Sequence, residues 1–161
     1  MKIVPYVFYK GEWSLPDEVF LYLWIKIEKQ NLVKRTFSDG SVKTSEDFFK
    51  MITNQRNMIA VVLNDDNKAI GMGWLNAITV QKANAHFLFL KEAWGKTTFD
   101  GARALIEYWF GLEIDGKPLF EVLLGQTPIE NKPAINFIKR LGWVILGEIP
   151  KLGVLISYRE R

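Results

Sequence analysis

Apolar and polar positions change period several times along the chain, and each change marks an element. Ala85 to Leu90 is a compact apolar run carrying two aromatics, which predicts a buried strand. The run stops at Trp94-Gly95-Lys96-Thr97-Thr98. From Phe99, apolar residues return at Ala102, Leu105, Ile106, Trp109 and Phe110, the spacing of one helix face. This strand, turn and helix form the stretch around which the other elements are arranged.

Ahead of it, Ile3 to Tyr9 predicts a first strand in which Pro5 has to face an edge or a bulge. Ser14-Leu15-Pro16-Asp17 resembles a capping box, with Pro16 in the first turn of a helix that runs to about Gln30. That helix is apolar on nearly every face between Val19 and Ile27, so it is either covered on several sides or presents a surface to a partner. Lys34 to Lys43 reads as a polar connection with a turn at Asp39-Gly40. A second helix begins at Thr44 or Ser45. Asn57 to Leu63 and Ala69 to Thr79 read as strands joined by the hairpin turn Asn64–Asn67, and a turn near Gln81 and Lys82 leads on. Gly71 and Gly73 share one strand face, a sign of a bulge or of close approach by another group.

Beyond Gly111, Leu119 to Leu124 is the next strand. It follows a crossover helix, so it should run parallel to Ala85–Leu90. Asn131 suits a helix N-cap, and Ala134, Phe137, Ile138 and Leu141 form the apolar face of a short helix that stops at Gly142. Trp143 to Ile149 and Val154 to Tyr158 close the chain as two strands around the turn Pro150–Gly153.

Composition narrows the functional classes. The 161 residues form one domain, 1–161, with an apolar fraction of 48% and no long charged or low-complexity tract. There is no cysteine and a single histidine, so disulfides, thiolate chemistry and histidine-rich metal sites are excluded. The net charge of +3 is slight and unclustered, which argues against nucleic acid as a partner. No apolar run reaches membrane-spanning length and no signal peptide is seen, so the expectation is a cytoplasmic protein without a membrane partner.

The central stretch carries candidate chemistry of its own. A helix that starts where a strand has just ended leaves unpaired N–H groups and a positive dipole end, which together bind phosphate. Gly95 clears the approach path, Lys96 adds a positive charge, and Thr97 and Thr98 add hydroxyl donors. An ordinary strand–helix connection would carry the same residues, so the turn alone leaves both readings open.

Two motifs in register resemble the acetyl-CoA-dependent N-acetyltransferase superfamily, the GNAT fold. Trp94-Gly95-Lys96-Thr97-Thr98, followed by Ala102 and Leu105, is similar to that family's pyrophosphate loop, most of all in the ribosomal-protein N-terminal acetyltransferase branch. Asn131-x-x-Ala134-x-x-Phe137-x-x-x-Leu141-Gly142-Trp143 is similar to its N-x-x-[AS] signature, with Trp143 in place of phenylalanine. Thr97 stands where the loop usually has a second glycine, and Ile138 where many members carry a tyrosine general acid.

The resemblance implies an α+β (α/β/α) fold, a mixed twisted sheet of about seven strands with four helices. It implies acetyl-CoA as co-substrate, an amine acceptor of unknown identity, and cofactor binding by Phe89, Leu90, Lys91, Trp94, Gly95, Lys96, Thr97, Thr98 and Asn131. The pantetheine arm would lie where Ala85–Leu90 and Leu119–Leu124 splay apart, pairing with the backbone around Phe89 to Lys91. The candidate bases are His86 and Glu121. His86 also reads as a partly buried structural histidine, and Glu121 as a solvent-facing edge residue. Two classes stay open: an N-acetyltransferase of a protein or small-molecule amine, and a GNAT-fold binding or structural protein without catalysis. The apolar helix adds the expectation of a homodimer.

Overall fold

The computed structural model describes residues Met1–Arg161. Seven strands form one sheet: β1 (Lys2–Tyr6), β2 (Met58–Leu63), β3 (Ala69–Thr79), β4 (Gln81–Phe89), β5 (Phe120–Pro128), β6 (Val144–Ile149) and β7 (Val154–Glu160). Their spatial order is β1-β2-β3-β4-β5-β7-β6. All neighbours are antiparallel except β4 and β5, which run parallel because a helical crossover joins them. The helices are α1 (Asp17–Lys29), α2 (Val33–Thr36), α3 (Ser45–Ile52), α4 (Lys96–Phe110) and α5 (Lys132–Arg140). This is the mixed twisted sheet that the resemblance implies, with one helix more than the four expected, the one-turn α2.

The sheet separates two cores. On one face, Phe20, Leu23, Trp24 and Ile27 of α1 and Phe48 and Ile52 of α3 pack on Val61, Met72, Trp74 and Leu88. On the other, Ala102, Leu105, Ile106 and Trp109 of α4 and Ile135 and Ile138 of α5 pack on Ala60, Val62, Ala85 and Phe89. Each fully buried large apolar side chain contributes roughly 1.5–3 kcal/mol over an exposed one. The two small residues of β3 are explained by this packing. A Cβ at Gly73 would stand 2.8 Å from the Trp109 ring, and one at Gly71 would stand 2.5 Å from the Phe89 ring. The close approach expected from the glycine pair is that of α4 and of the neighbouring strand.

Several boundaries differ from the sequence expectations for identifiable reasons. β1 ends at Tyr6, and Phe8–Tyr9 with Glu12–Trp13 form a separate small hairpin. Pro5 is tolerated because β1 is the outermost strand. Ser14 does not cap α1. Its hydroxyl donates to Pro5 O at 2.5 Å and accepts from Val7 N–H at 3.0 Å, and Pro16 is the N-cap. The capping box occurs instead at α3, where Thr44 Oγ1 accepts from Asp47 N–H and the Asp47 carboxylate accepts from Thr44 N–H. The polar connection holds the one-turn α2 and buries Phe37 and Val42. β4 starts at Gln81, since the hairpin turns at Val80 and Thr79 already pairs with Lys82. Those first residues lie at an exposed hairpin tip, so their polar character hid the strand. β5 continues past Leu124 to Pro128.

Candidate functional site

β4 and β5 are hydrogen-bonded neighbours over only part of their length. The parallel register runs from Gln81↔Phe120 to Asn84↔Leu124 and stops there. β4 continues to Phe89 beside β3, and β5 continues to Pro128 beside β7. The two strands therefore part, and a cleft of about 850 Å³ opens between Ala85–Phe89 and Gly125–Pro128. Leu90 N–H pairs with Ile70 O across β3, so ladder alternation turns the backbone groups of Phe87 and Phe89 towards the gap. Because the sheet is open here, both of its faces contribute to the lining.

The α4–α5 side is built by the strand–turn–helix stretch and the second motif. Gly95 is the N-cap of α4 at φ +100°, a backbone angle that L side chains resist. A Cβ there would meet nothing within 4 Å, so the residue answers to backbone conformation and leaves open space above the helix end. The first intrahelical bond is Phe99 N–H to Gly95 O at 3.3 Å, which leaves the first-turn amides ahead of it. Thr98 does not project its hydroxyl as a free donor, since it donates to Ala93 O at 2.7 Å. Asn131 caps α5, its Oδ1 accepting from Ala134 N–H at 3.3 Å. Trp143 meets Phe87 edge-on at 6.4 Å and forms part of the cleft wall. Gly125 makes room for it, since a Cβ would lie 3.1 Å from the indole.

The other side belongs to β3, β4 and the segment after α2. His86 stacks on Trp74 at 4.8 Å with the planes 5° apart, and Phe37 covers the indole from 5.7 Å. His86 Nε2 bonds Asn76 Oδ1 at 3.1 Å. Because Oδ1 can only accept, Nε2 carries the hydrogen and Nδ1 keeps its lone pair. Burial lowers the His86 pKa to about 4, against the opposing pull of the Asp39 charge, so the ring is neutral at pH 7. Asp39 itself stays ionised: burial raises its pKa, but bonds from the Ser41 N–H and hydroxyl lower it further.

Of the residues expected from sequence, His86, Phe89, Trp94, Gly95, Thr98 and Asn131 line the cleft. Leu90, Lys91, Lys96 and Thr97 do not. Lys91 N–H is held by Gln30 Oε1 at 2.7 Å, and Gln30 and Lys26 both bind the Glu92 carboxylate, tying the turn to α1. Lys96 is an exposed residue in the first position of α4. Glu121 is at the closed end of the strand pair, where the register slips between Phe120 and Val122. Its carbonyl accepts from Arg161 N–H at 3.1 Å, and it does not line the cleft.

Sequence reasoning passed over Arg35, Asp39, Trp74 and Asn76. Arg35 reaches from α2 to sit 5.3 Å from the Trp94 ring, and its Nη2 donates to Asn131 Oδ1 at 3.3 Å. Asp39 and Arg35 fall in a connection without periodicity. Asn76 was legible only as a polar residue on the strand that faces His86.

No family model matches the chain, and no curated protein matches it in sequence. Solved structures do match in shape. A spermidine N-acetyltransferase from Vibrio cholerae, solved in complex with CoA and spermine, is similar with a TM-score of 0.69 at 13% identity, over 98% of this chain and 95% of that one. A domain from Methanocaldococcus jannaschii is similar at 0.70 and 11% identity, over 99% of both chains. The N-acetyltransferase PseH of Campylobacter jejuni is similar at 0.61 and 14% identity, over 91% of this chain and 92% of that one. The sheet order, the parted parallel strands and these likenesses together give the chain the fold of the GNAT acyl-CoA N-acyltransferases.

Proposed function

We propose that this protein is an N-acetyltransferase that binds acetyl-CoA with its pantetheine arm between β4 and β5. The observation that carries the reading is the end of strand pairing at Asn84↔Leu124, with a cleft beyond it bordered by the N-terminal end of α4. The residues present fit the coenzyme. Strand-edge backbone groups face the gap, the space above Gly95 is open, and Thr97 does not narrow the cleft. First-turn amides of α4 and Lys96 would hold the phosphates, and backbone around Phe87 to Phe89 and the Asn131 side chain would hold the arm. When bound, acetyl-CoA supplies an activated acyl group for attack by an amine.

This chain's own residues contribute position and a shaped site. Bringing amine and thioester within reach supplies a large part of such a rate. His86 offers the Nδ1 lone pair, held in that tautomer by Asn76. With a pKa near 4 it is a weak base, so it acts as an acceptor that orients the amine or a bridging water. Glu121 has no such role from the closed end of the strands. Ile138 lines the cleft and cannot donate a proton to the leaving thiolate, which therefore takes one from solvent.

The likeness of the Trp94-Gly95-Lys96 loop to the ribosomal-protein N-terminal acetyltransferase branch concerns residues on the coenzyme side. It carries over to coenzyme binding and leaves the acceptor open. A second reading, a binding protein without catalysis, is favoured by Arg35 on Asn131 Oδ1 and by the bond that Trp94 makes to Phe89 O, since both occupy groups the coenzyme would use. Thermal melts with and without millimolar acetyl-CoA separate the two. A ligand at a hundredfold excess over its dissociation constant stabilises the native state by about 2.7 kcal/mol, which is a clear upward shift. No shift and no heat in calorimetry would leave the second reading.

A further inference from the structure

The cleft is divided in charge. Its lining includes two cations, Arg35 and Arg140, and one carboxylate, Asp39. The cations sit over aromatic rings at the coenzyme side, Arg35 at 5.3 Å from Trp94 and Arg140 at 5.4 Å from Phe99. Asp39 stands with Trp74, Asn76 and neutral His86 on the opposite side, where no lining residue is cationic. Its Oδ1 is occupied by the Ser41 N–H at 3.0 Å and the Ser41 hydroxyl at 2.7 Å. The carboxylate stays ionised at an exposed position on the cleft wall.

Uncharged groups lining the same cleft also point to a ligand type. Asn54 and Asn76 use their Oδ1 atoms internally, on Arg56 N–H at 3.0 Å and on His86 Nε2 at 3.1 Å. Their Nδ2 groups are left as donors. Asn57 is reversed, giving Nδ2 to Met51 O at 2.8 Å and leaving Oδ1 to accept. Paired free donors and acceptors match hydroxyl groups, which do both.

Resting on the acetyl-transfer reading, we infer that the acceptor is a small amine bearing several hydroxyl groups and one positive charge, whose ammonium is recognised by Asp39. A polyamine is disfavoured, because a second ammonium in the cleft would find no second carboxylate. The size follows from the cleft itself: its roughly 850 Å³ has to hold the pantetheine arm as well. Before transfer the ammonium releases one proton to solvent. The neutral nitrogen then bonds the acyl carbon, the carbon–sulfur bond breaks, the nitrogen's second proton leaves to solvent past His86, and the departing thiolate takes one proton from solvent.

The test begins with calorimetry of the whole chain with acetyl-CoA, because absence of binding overturns the acetyl-transfer reading itself. With binding established, CoA release is measured with glucosamine, 3-amino-1,2-propanediol, spermidine and a tetrapeptide with a free N-terminus. The expected result is a kcat/KM for at least one of the two polyol amines about tenfold or more above that for spermidine and the peptide. Asp39→Asn should raise KM for that amine about tenfold, the scale of a lost hydrogen bond to a charge, with acetyl-CoA affinity within about twofold. Asp39→Glu, which keeps the charge, should recover part of the loss, and Ser41→Ala should report any effect of the turn alone. Preference for spermidine or the peptide, or no turnover of either polyol amine although acetyl-CoA binds, overturns the inference. So does an unchanged KM in Asp39→Asn, or a loss that Ser41→Ala reproduces in full.

Discussion

Trp94 donates its indole N–H to the carbonyl oxygen of Phe89 at 3.2 Å, folding the turn before α4 back onto the end of β4. That carbonyl is one of the strand-edge groups facing the gap. The same indole carries Arg35 on its ring, so a single side chain closes the strand end and anchors a bridge to α2.

If the pantetheine arm uses Phe89 O, Trp94 has to release it on binding. Trp94→Phe keeps a ring under Arg35 and frees the acceptor. A net hydrogen bond is worth about 1 kcal/mol, so acetyl-CoA affinity should rise about fivefold. Titration calorimetry on parent and variant reads this directly. A fall in affinity would mean that the indole contacts the ligand and that the bond to Phe89 persists in the complex.

Gly95 and Lys96 should separate backbone strain from charge. Gly95→Ala puts a Cβ on φ +100° with free space around it, so stability should fall by about 1–3 kcal/mol through strain at the start of α4. Denaturant midpoints measure that loss. Lys96→Glu is exposed and should leave the midpoint nearly unchanged. It should weaken acetyl-CoA about tenfold at low ionic strength and less at high, as screening requires. Equal affinity in parent and Lys96→Glu would place the phosphates elsewhere.

The parts of this fold that were legible in sequence are those where packing on one face sets a period. The α4 face, the Asn131 cap and the tight pair Gly71 and Gly73 are of that kind. The site itself was only half legible. Where β4 and β5 part is a matter of register between strands distant in sequence. Composition does change there, from Gln81–Asn84 to Ala85–Phe89 and from Phe120–Leu124 to Gly125–Pro128, but such a change marks a strand's end as readily as a parting. Glu121 looked noteworthy inside an apolar strand, yet alternation along one strand cannot tell the open end from the closed one. Arg35 and Asp39 sit in a connection read only as polar, although buried Phe37 between them fixes the segment against Trp74.

His86 should make stability depend on pH. Its folded pKa is about 4 against an ordinary value of 6.5, so the unfolded chain binds its proton first as the solution is acidified. The sign follows: the stability tied to neutral His86 is full above pH 6.5 and is lost as pH falls towards 4. A depression of this size corresponds to roughly 3 kcal/mol across the window. His86→Gln has no such titration, so the stability difference between parent and variant should shrink on acidification. Urea unfolding at pH 7, 6, 5 and 4 checks it, and a constant difference would show that His86 titrates normally.

The surface of α1 yields the last prediction. Phe20, Leu23, Trp24 and Ile27 are fully committed to the core, while Leu21 is 45%, Tyr22 38% and Ile25 39% exposed. The apolar character seen on nearly every face of the helix is therefore only partly used within the chain. Further exposed aromatics, Phe8 at 61% and Trp13 at 46%, stand on the small hairpin, which packs on the buried side of α1 through Trp13 on Tyr6 and Tyr6 on Phe20. Apolar patches of that breadth commonly mark association, and a second copy of the chain is the partner always at hand. The parent should sediment as a dimer. Ile25→Glu should sediment as a monomer with an unchanged melting profile, because a charge on an exposed helix face is tolerated by the fold and not by an apolar interface. A parent that stays monomeric at every accessible concentration would refute the interface. An Ile25→Glu that fails to fold would do so as well, because only a core position should refuse the charge.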